Sequence, residues 1–256
     1  MSQPAGADAA SDPRPEVPIR PAATVMLVRD APAGLEVFVL RRVAAMAFAP
    51  GMTVFPGGAV DPADHDPALD WSGPDIAWWA QHLQQEAGLA KALVVAAVRE
   101  LYEETGVLLA GPAQSAGPVV GPSLDDSVRL ALIDHRITLA SALAEAGLRL
   151  RADLLRPWAN WITPPGRTKR YDTFFFAAAL PPGQLAEMLT TEADLGQWRT
   201  PQELFAERAA GTTALMPPTV AMLTDLAGYG SVAAVLAAQR VVTPVRVRAG
   251  DFPGVR

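Results

Sequence analysis

The chain contains no cysteine. Disulfide bridges, cysteine-ligated zinc and thiol catalysis are therefore excluded. Its three histidines, His65, His82 and His135, lack the spacing of a metal-ligand set and read as surface or structural residues. No apolar run reaches the length needed to span a bilayer. The N-terminal stretch lacks the basic start and apolar core of a signal peptide. No long basic run is present and the net charge is −6, so nucleic acid is not an expected partner, although a nucleotide is compatible. These absences leave a cytoplasmic enzyme with no membrane partner as the expectation. What is there is a chain of 256 residues, half of them hydrophobic, enough for one large domain or a domain with an appendage.

Residues 1–21 carry Pro4, Pro13, Pro15, Pro18 and Pro21 among alanine, serine and aspartate, and read as a disordered tail. A domain is expected over 22–240 and a second tail over 241–256. Apolar, β-branched runs at 23–29 and 36–41 flank a turn and predict paired strands. A third strand at 52–55 ends in Pro56-Gly57-Gly58, where glycine lets the backbone turn sharply and approach a ligand. Residues 61–88 hold Trp71, Trp78 and Trp79, half of the six tryptophans. They read either as a small packed subdomain or as a lid over substrate. Residues 89–104 give the clearest helix, with Leu93, Val94, Ala97, Val98 and Leu101 repeating at three and four. Helices are also expected within 123–146, with Leu130, Ile133, Ile137 and Leu143 inward, and at 197–207, 217–227 and 231–239. Residues 171–180, centred on Phe174-Phe175-Phe176, predict a buried strand. The pattern gives an α/β protein, a mixed sheet flanked by helices.

The stretch Arg99-Glu100-Leu101-Tyr102-Glu103-Glu104-Thr105-Gly106-Val107 packs three carboxylates into five residues behind an arginine. At 100° per residue Glu100, Glu103 and Glu104 share one helix face. Like charges this close repel, the more so when shielded from water, and call for a cation. Oxygen-only ligands suit a hard divalent metal, Mg2+ or Mn2+. A solvated acidic face is the plainer account, but Gly106 stops the helix just after the cluster.

These residues resemble the second half of the Nudix box, Arg-Glu-apolar-x-Glu-Glu-x-Gly-apolar, at every specified position. The first half departs from the pattern. Counting back fourteen positions from Arg99 reaches Gln85 where the box has glycine, and residue 91 is Lys91 where it has glutamate. By context Gly58 stands as the box glycine, which splits the box with an insertion of 27 residues, and Asp64, six residues on, stands where the missing glutamate would. The resemblance implies an α/β/α sandwich with the insertion at 61–88 and extra C-terminal helices. It also implies a metal-dependent hydrolase of nucleoside diphosphate derivatives. Glu103 and Glu104 are then metal ligands, and Glu100 is a further ligand or the general base. Arg99 orients the glutamates by a bidentate salt bridge or serves as a structural ion pair. Gly57 and Gly58 are expected to contact substrate or complete the metal shell through their backbone. Arg41 and Arg170 are the expected phosphate contacts.

Phe55-Pro56-Gly57-Gly58-x-Val60-Asp61-Pro62-Ala63-Asp64, the long insertion, Trp161-x-Thr163-Pro164 and Arg170-Tyr171-Asp172-Thr173-x-Phe175-Phe176 are similar to the Nudix branch that contains the peroxisomal coenzyme A diphosphatase. That likeness implies a CoA or acyl-CoA substrate, with ADP-ribose, NADH and oxidised nucleotides as alternatives. A homodimer is compatible with it. A Nudix fold used as a non-catalytic ligand sensor is the other class of function, and the retention of all three glutamates weighs against it.

Overall fold

The computed structural model describes residues 17–46, 49–112 and 124–246. The tail expectations for 1–16 and 247–256, and much of the loop at 111–122, lie outside them. In chain order the elements are β1 (Ile19–Ala31), β2 (Gly34–Arg42), β3 (Met52–Val54), β4 (Gly57–Ala59), β5 (Trp71–Ser72), α1 (Ile76–Leu83), α2 (Ala87–Thr105), β6 (Ala110–Pro112), α3 (Asp126–Ile133), α4 (Leu139–Glu145) and β7 (Leu148–Arg151). There follow β8 (Leu155–Ile162), β9 (Arg170–Ala179), β10 (Ala193–Arg199), α5 (Pro201–Ala209), β11 (Ala214–Leu215), α6 (Pro217–Ala227), α7 (Val232–Ala237) and β12 (Pro244–Arg246).

The main sheet is mixed and runs β11-β3-β2-β1-β9-β8-β12, with β4 on β1 and β10 on β2. At its centre β1 and β9 pair in parallel from Ile19↔Arg170 to Val28↔Ala179. On its other edge β1 takes two antiparallel partners. Ala22–Thr24 pair with Gly57–Ala59, and Val28–Ala31 pair with β2. The loop carrying Gly57 and Gly58 is thereby stitched into the middle of the fold. A small second sheet, β5-β7-β6, lies apart.

Alternation along the strands sorts the core into two layers. Val25, Leu27, Phe38, Leu40, Phe174 and Phe176 pack on one side, with Leu93, Val94, Val98 and Leu101 of α2 and Trp79 of α1. Met26, Val28, Val37, Val39, Phe175 and Ala177 pack on the other, with Leu204 of α5, Met222, Leu223 and Leu226 of α6 and Val235 of α7. The result is a sheet covered by helices on both faces. A bulge between Pro157 and Ala159 reverses the alternation of β8, so Trp158 and Trp161 reach the same layer from positions of opposite parity. Helix α2 is the pivot. Ala90 and every residue from Ala92 to Arg99 are buried, so it is enclosed rather than amphipathic. Each fully buried leucine or valine there contributes about 1.5–3 kcal/mol.

Several expectations change. β1 begins at Ile19, inside the stretch read as tail, because its parallel ladder with β9 starts there. Residues 197–199 are not helical: they end strand β10, whose Trp198 packs edge-on against Phe38, and the helix starts at Pro201 behind the Thr200 cap. Leu130 and Ile133 are exposed rather than inward, and α3 instead buries Arg129, Ala131 and Leu132. A helix of two turns gave the periodicity too few positions to fix its phase. Among the described residues no helix is long and apolar enough to cross a membrane.

Candidate active site

The chain turns at Pro56 and runs back along β1, where the Val25 amide donates to the Pro56 carbonyl at 2.9 Å. Gly57 sits at φ +154, and a Cβ there would collide with the Ala23 carbonyl and lie 2.7 Å from the Thr24 hydroxyl. Its amide donates to Glu104 Oε2 at 2.9 Å. A Cβ on Gly58 would fall 2.5–2.7 Å from the carboxylate of Glu100. Neither glycine tolerates a side chain, and for Gly58 the obstacle is the Glu100 carboxylate. Both glycines thus bear on the position of the glutamates through the backbone.

From α2, Arg99 reaches under this turn with its side chain 9% exposed. Its Nε and Nη2 donate to the two oxygens of Asp64, each at 2.9 Å. Nη2 also donates to the Ala59 carbonyl at 3.1 Å. Nη1 donates to Glu100 Oε1 at 2.8 Å and Glu103 Oε2 at 3.3 Å. All five guanidinium N–H donors have acceptors. The bidentate pair is thus with Asp64, while Glu100 and Glu103 receive one bond each. Asp64 is 1% exposed and held in turn by a capping box, in which its Oδ2 accepts from the Asp61 amide while Asp61 Oδ1 accepts from the Ala63 amide. Burial alone would lower the pKa of Arg99, but Asp64, Glu100 and Glu103 together hold it above its ordinary value.

One cation does not balance four carboxylates. Burial pushes Glu104 up to about 8, with the charge of Glu100 adding to it and the Gly57 amide opposing it. Burial likewise pushes Glu100 up to about 7 against the pull of Arg99. Glu103 is raised too, again chiefly by burial. Glu103 Oε1 is buried with no hydrogen-bond partner among the described residues. Desolvated, mutually repelling carboxylates with an orphaned oxygen are the donor set a hard divalent cation satisfies. The side chains have not drawn together around a point: among the described residues no group of three or more acidic or histidine side chains stands in ligating geometry. By the chemistry of its donors the cluster fits such an ion.

The C-terminal turn of α2, which carries Glu103 and Glu104, has its outgoing carbonyls occupied. Gly106, left-handed at φ +73, donates its amide to the Tyr102 carbonyl. Buried Arg129 donates from Nη1 to the Glu103 carbonyl at 3.2 Å and the Leu189 carbonyl at 3.1 Å. The amides of Leu189 and Glu187 donate to the Glu104 and Thr105 carbonyls at 2.9 and 3.1 Å. The Gln184 amide side chain pairs with both backbone groups of Leu108, at 2.7 and 2.8 Å. A strap at residues 184–189 therefore closes the helix end, and a cation there also meets the negative end of the helix dipole. Sequence reasoning missed Arg129. Its spacing from Asp126, i to i+3 on a short helix, signals an ordinary surface ion pair rather than this reach.

Arg41 and Arg170 are the expected phosphate contacts. Arg41 is exposed and bonded to Asp194 at 2.7 Å. Arg170 is buried at the start of β9, with Nε donating to the Thr163 carbonyl at 3.2 Å. His135, at the α3–α4 turn, lies 3.6 Å from Asp61 and so overhangs the site's edge. The tryptophans divide: Trp79 is fully buried against Phe176, whereas Trp78 is half-buried and stacks on His82.

A family model described as the NUDT19 Nudix domain matches residues 72–226, which include the acidic helix. An acyl-coenzyme A diphosphatase NUDT19 of Homo sapiens is 30% identical over 237 residues, spanning 77% of this chain and 62% of the human protein. The Gallus gallus protein of the same name is 27% identical, spanning 83% of this chain and 69% of its own. The chain thus covers less than two thirds of the human relative's length. Among solved structures, a Nudix hydrolase from Alicyclobacillus acidocaldarius superimposes with a TM-score of 0.73 at 27% identity, over 88% of this chain and 98% of that one.

Proposed function

This chain belongs to the Nudix hydrolase family, and from that premise we propose that it hydrolyses the diphosphate bond of a nucleoside diphosphate derivative, with CoA or acyl-CoA as the substrate. The observation that carries this is the cluster of Glu100, Glu103 and Glu104, half-buried beside Gly57 and Gly58, with Glu100 and Glu103 held by Arg99 and Glu104 by the Gly57 amide. The substrate class draws support from the acyl-coenzyme A diphosphatases to which the chain is similar.

In this proposal Glu100, Glu103 and Glu104 hold Mg2+ or Mn2+. The ion would neutralise diphosphate charge and lower the pKa of an attacking water. The chain's own part is positional. Gly57 fixes Glu104 by its amide. Gly58 leaves the space that Glu100 fills. Arg99 supports Glu100 and Glu103 from beneath and has no donor left for substrate. Glu100, raised by burial to about 7 in the metal-free chain, serves either as a further ligand or as the general base. Gly57 and Gly58 bear on substrate only through their backbone. Arg41, exposed and already paired, and buried Arg170 remain proposed phosphate contacts. A cytoplasmic location, the absence of nucleic-acid or membrane partners and a homodimer belong to the same proposal.

The test is a panel of diphosphates, comprising CoA, acyl-CoA esters, ADP-ribose, NADH and oxidised nucleoside triphosphates, incubated with Mg2+ or Mn2+ and read by product mass. Splitting of CoA esters to 4′-phosphopantetheine compounds and adenosine 3′,5′-bisphosphate is expected. Failure to split any diphosphate with either metal would remove the enzymatic reading.

A further inference from the structure

A cleft of about 410 Å³ lies at the far edge of the sheet, between α1 and the segment that follows α7. Its walls include Trp78, His82, Arg156, Leu236, Gln239 and Arg240. Counting three strand spacings from Gly58 through Ala23 and Phe174 to Asn160, and then four residues along β8 to Arg156, puts it roughly 20 Å from the carboxylate cluster. Its volume falls in the range of about 300–1,000 Å³ common to small-molecule sites.

Arg156 gives the cleft its character. Nε donates to the Leu236 carbonyl at 2.7 Å, and Nη1 donates to the Asp153 and Leu155 carbonyls, both at 2.8 Å. Three neutral carbonyls fix the guanidinium but leave its charge uncompensated. Nη2 makes no hydrogen bond to the described residues, so two N–H donors remain for an anion. Two other charges beside it are already answered. Asp153 is paired with Arg151 at 2.6 Å, and Arg240 with Asp225 at 2.7 Å. Nearby, the indole of Trp78 stacks on the His82 ring, with centroids 3.7 Å apart. The His82 Nδ1 contact to the Trp78 carbonyl and the Val242 amide bond to the His82 carbonyl, each 2.8 Å, hold that wall in place. A rigid aromatic wall, apolar Leu236 and one free, fixed guanidinium form a site for a flat heterocycle that carries a phosphate.

The geometry points to this cleft as a second binding site, for a nucleoside monophosphate-like ligand, separate from the carboxylate cluster. It goes beyond the hydrolase proposal and does not depend on it. AMP is the probe, with adenosine and inorganic phosphate as separate arms. Binding is measured by calorimetry and tryptophan fluorescence in EDTA, on the full chain. AMP is expected to bind one-to-one and quench the fluorescence, and each half alone to bind at least tenfold more weakly. Trp78→Leu is expected to weaken AMP at least tenfold. Gln239→Glu adds a negative charge at an exposed position and removes no contact, so it keeps the test open if the tryptophan variant fails to fold; a several-fold loss is expected. Glu104→Gln is expected to leave AMP affinity unchanged, which separates this site from the diphosphate site. Absence of AMP binding at millimolar concentration, equal binding by the Gln239→Glu chain, or loss of binding in Glu104→Gln would each overturn the proposal.

Discussion

Asp64 and Arg99, 35 residues apart in sequence, meet through two parallel hydrogen bonds of 2.9 Å in the interior. The pair closes the neck of the segment between them, which returns the chain to the head of the acidic helix. The side chain of the Arg99–Asp64 pair is nearly sealed from water on both sides, so the loss of either partner leaves a buried charge without its answer.

Asp64→Ala is therefore expected to cost about 3–5 kcal/mol, the usual toll of breaking a buried ion pair on one side. Asp64→Glu, which keeps the charge, is expected to cost less. Urea denaturation of the two variants checks the difference. Equal stability of Asp64→Ala and wild type would deny the pair its structural role.

Glu103→Gln and Glu104→Gln retain size and remove charge. Each is expected to reduce turnover by roughly a hundredfold or more, the scale of losing a major electrostatic contributor. Because each relieves carboxylate crowding, the metal-free variants should melt no lower than wild type at pH 8. Full activity in both would sink the site assignment.

The raised carboxyls make a pH prediction. Glu100 and Glu104 rise from 4.5 to about 7 and about 8, so the folded chain keeps protons that the unfolded chain releases. Stability of the metal-free protein should therefore fall as pH rises from about 4.5 to about 8 through these groups. Thermal melts in EDTA at pH 6 and pH 8.5 should show the drop, and Mg2+ or Mn2+ should reduce it by favouring the ionised forms. Identical pH dependence with and without metal would argue against metal at these glutamates.

Gly58→Ala places a methyl group where the Glu100 carboxylate lies. We expect at least a tenfold fall in turnover together with weaker metal binding, measured by steady-state kinetics and calorimetry. Gly230→Ala, where a Cβ meets nothing within 4 Å and no left-handed φ is required, controls for the addition of a methyl group away from the glutamates. If both variants lose activity equally, displacement of Glu100 is not the cause.

Arg129→Met keeps the bulk of the side chain but strips the Glu103 and Leu189 carbonyls of their donor. A loss of about 1–3 kcal/mol is expected for carbonyls left unsatisfied. Hydrogen exchange should rise at residues 103–105 and 187–189. Unchanged protection there would show that the strap holds without it.

The acidic motif was legible because its spacing is local: four residues within two turns of helix fix their own shared face. So were the strand at 171–180 and the helices at 217–227 and 231–239, whose apolar runs are long or sharply bounded. Asp64 could be counted from Gly58, but its contact with Arg99 depends on how residues 65–86 return the chain, which no local pattern encodes. β10 was hidden because Gly196 and Gln197 carry little strand character; pairing with β2 and contact with Met188 decide it. Leu130 and Ile133 misled because apolar residues on a short surface helix need not face the core.

A guanidinium whose every N–H is engaged has consequences for the order of arrival at the site. Arg99 gives its neighbours support but offers an incoming phosphate nothing. Until a metal is present, a diphosphate approaching Glu100, Glu103 and Glu104 meets their negative charge with no help from Arg99. If the glutamates hold the metal as proposed, the metal arrives with the substrate or before it, and free diphosphate in chelator should not compete for the cluster.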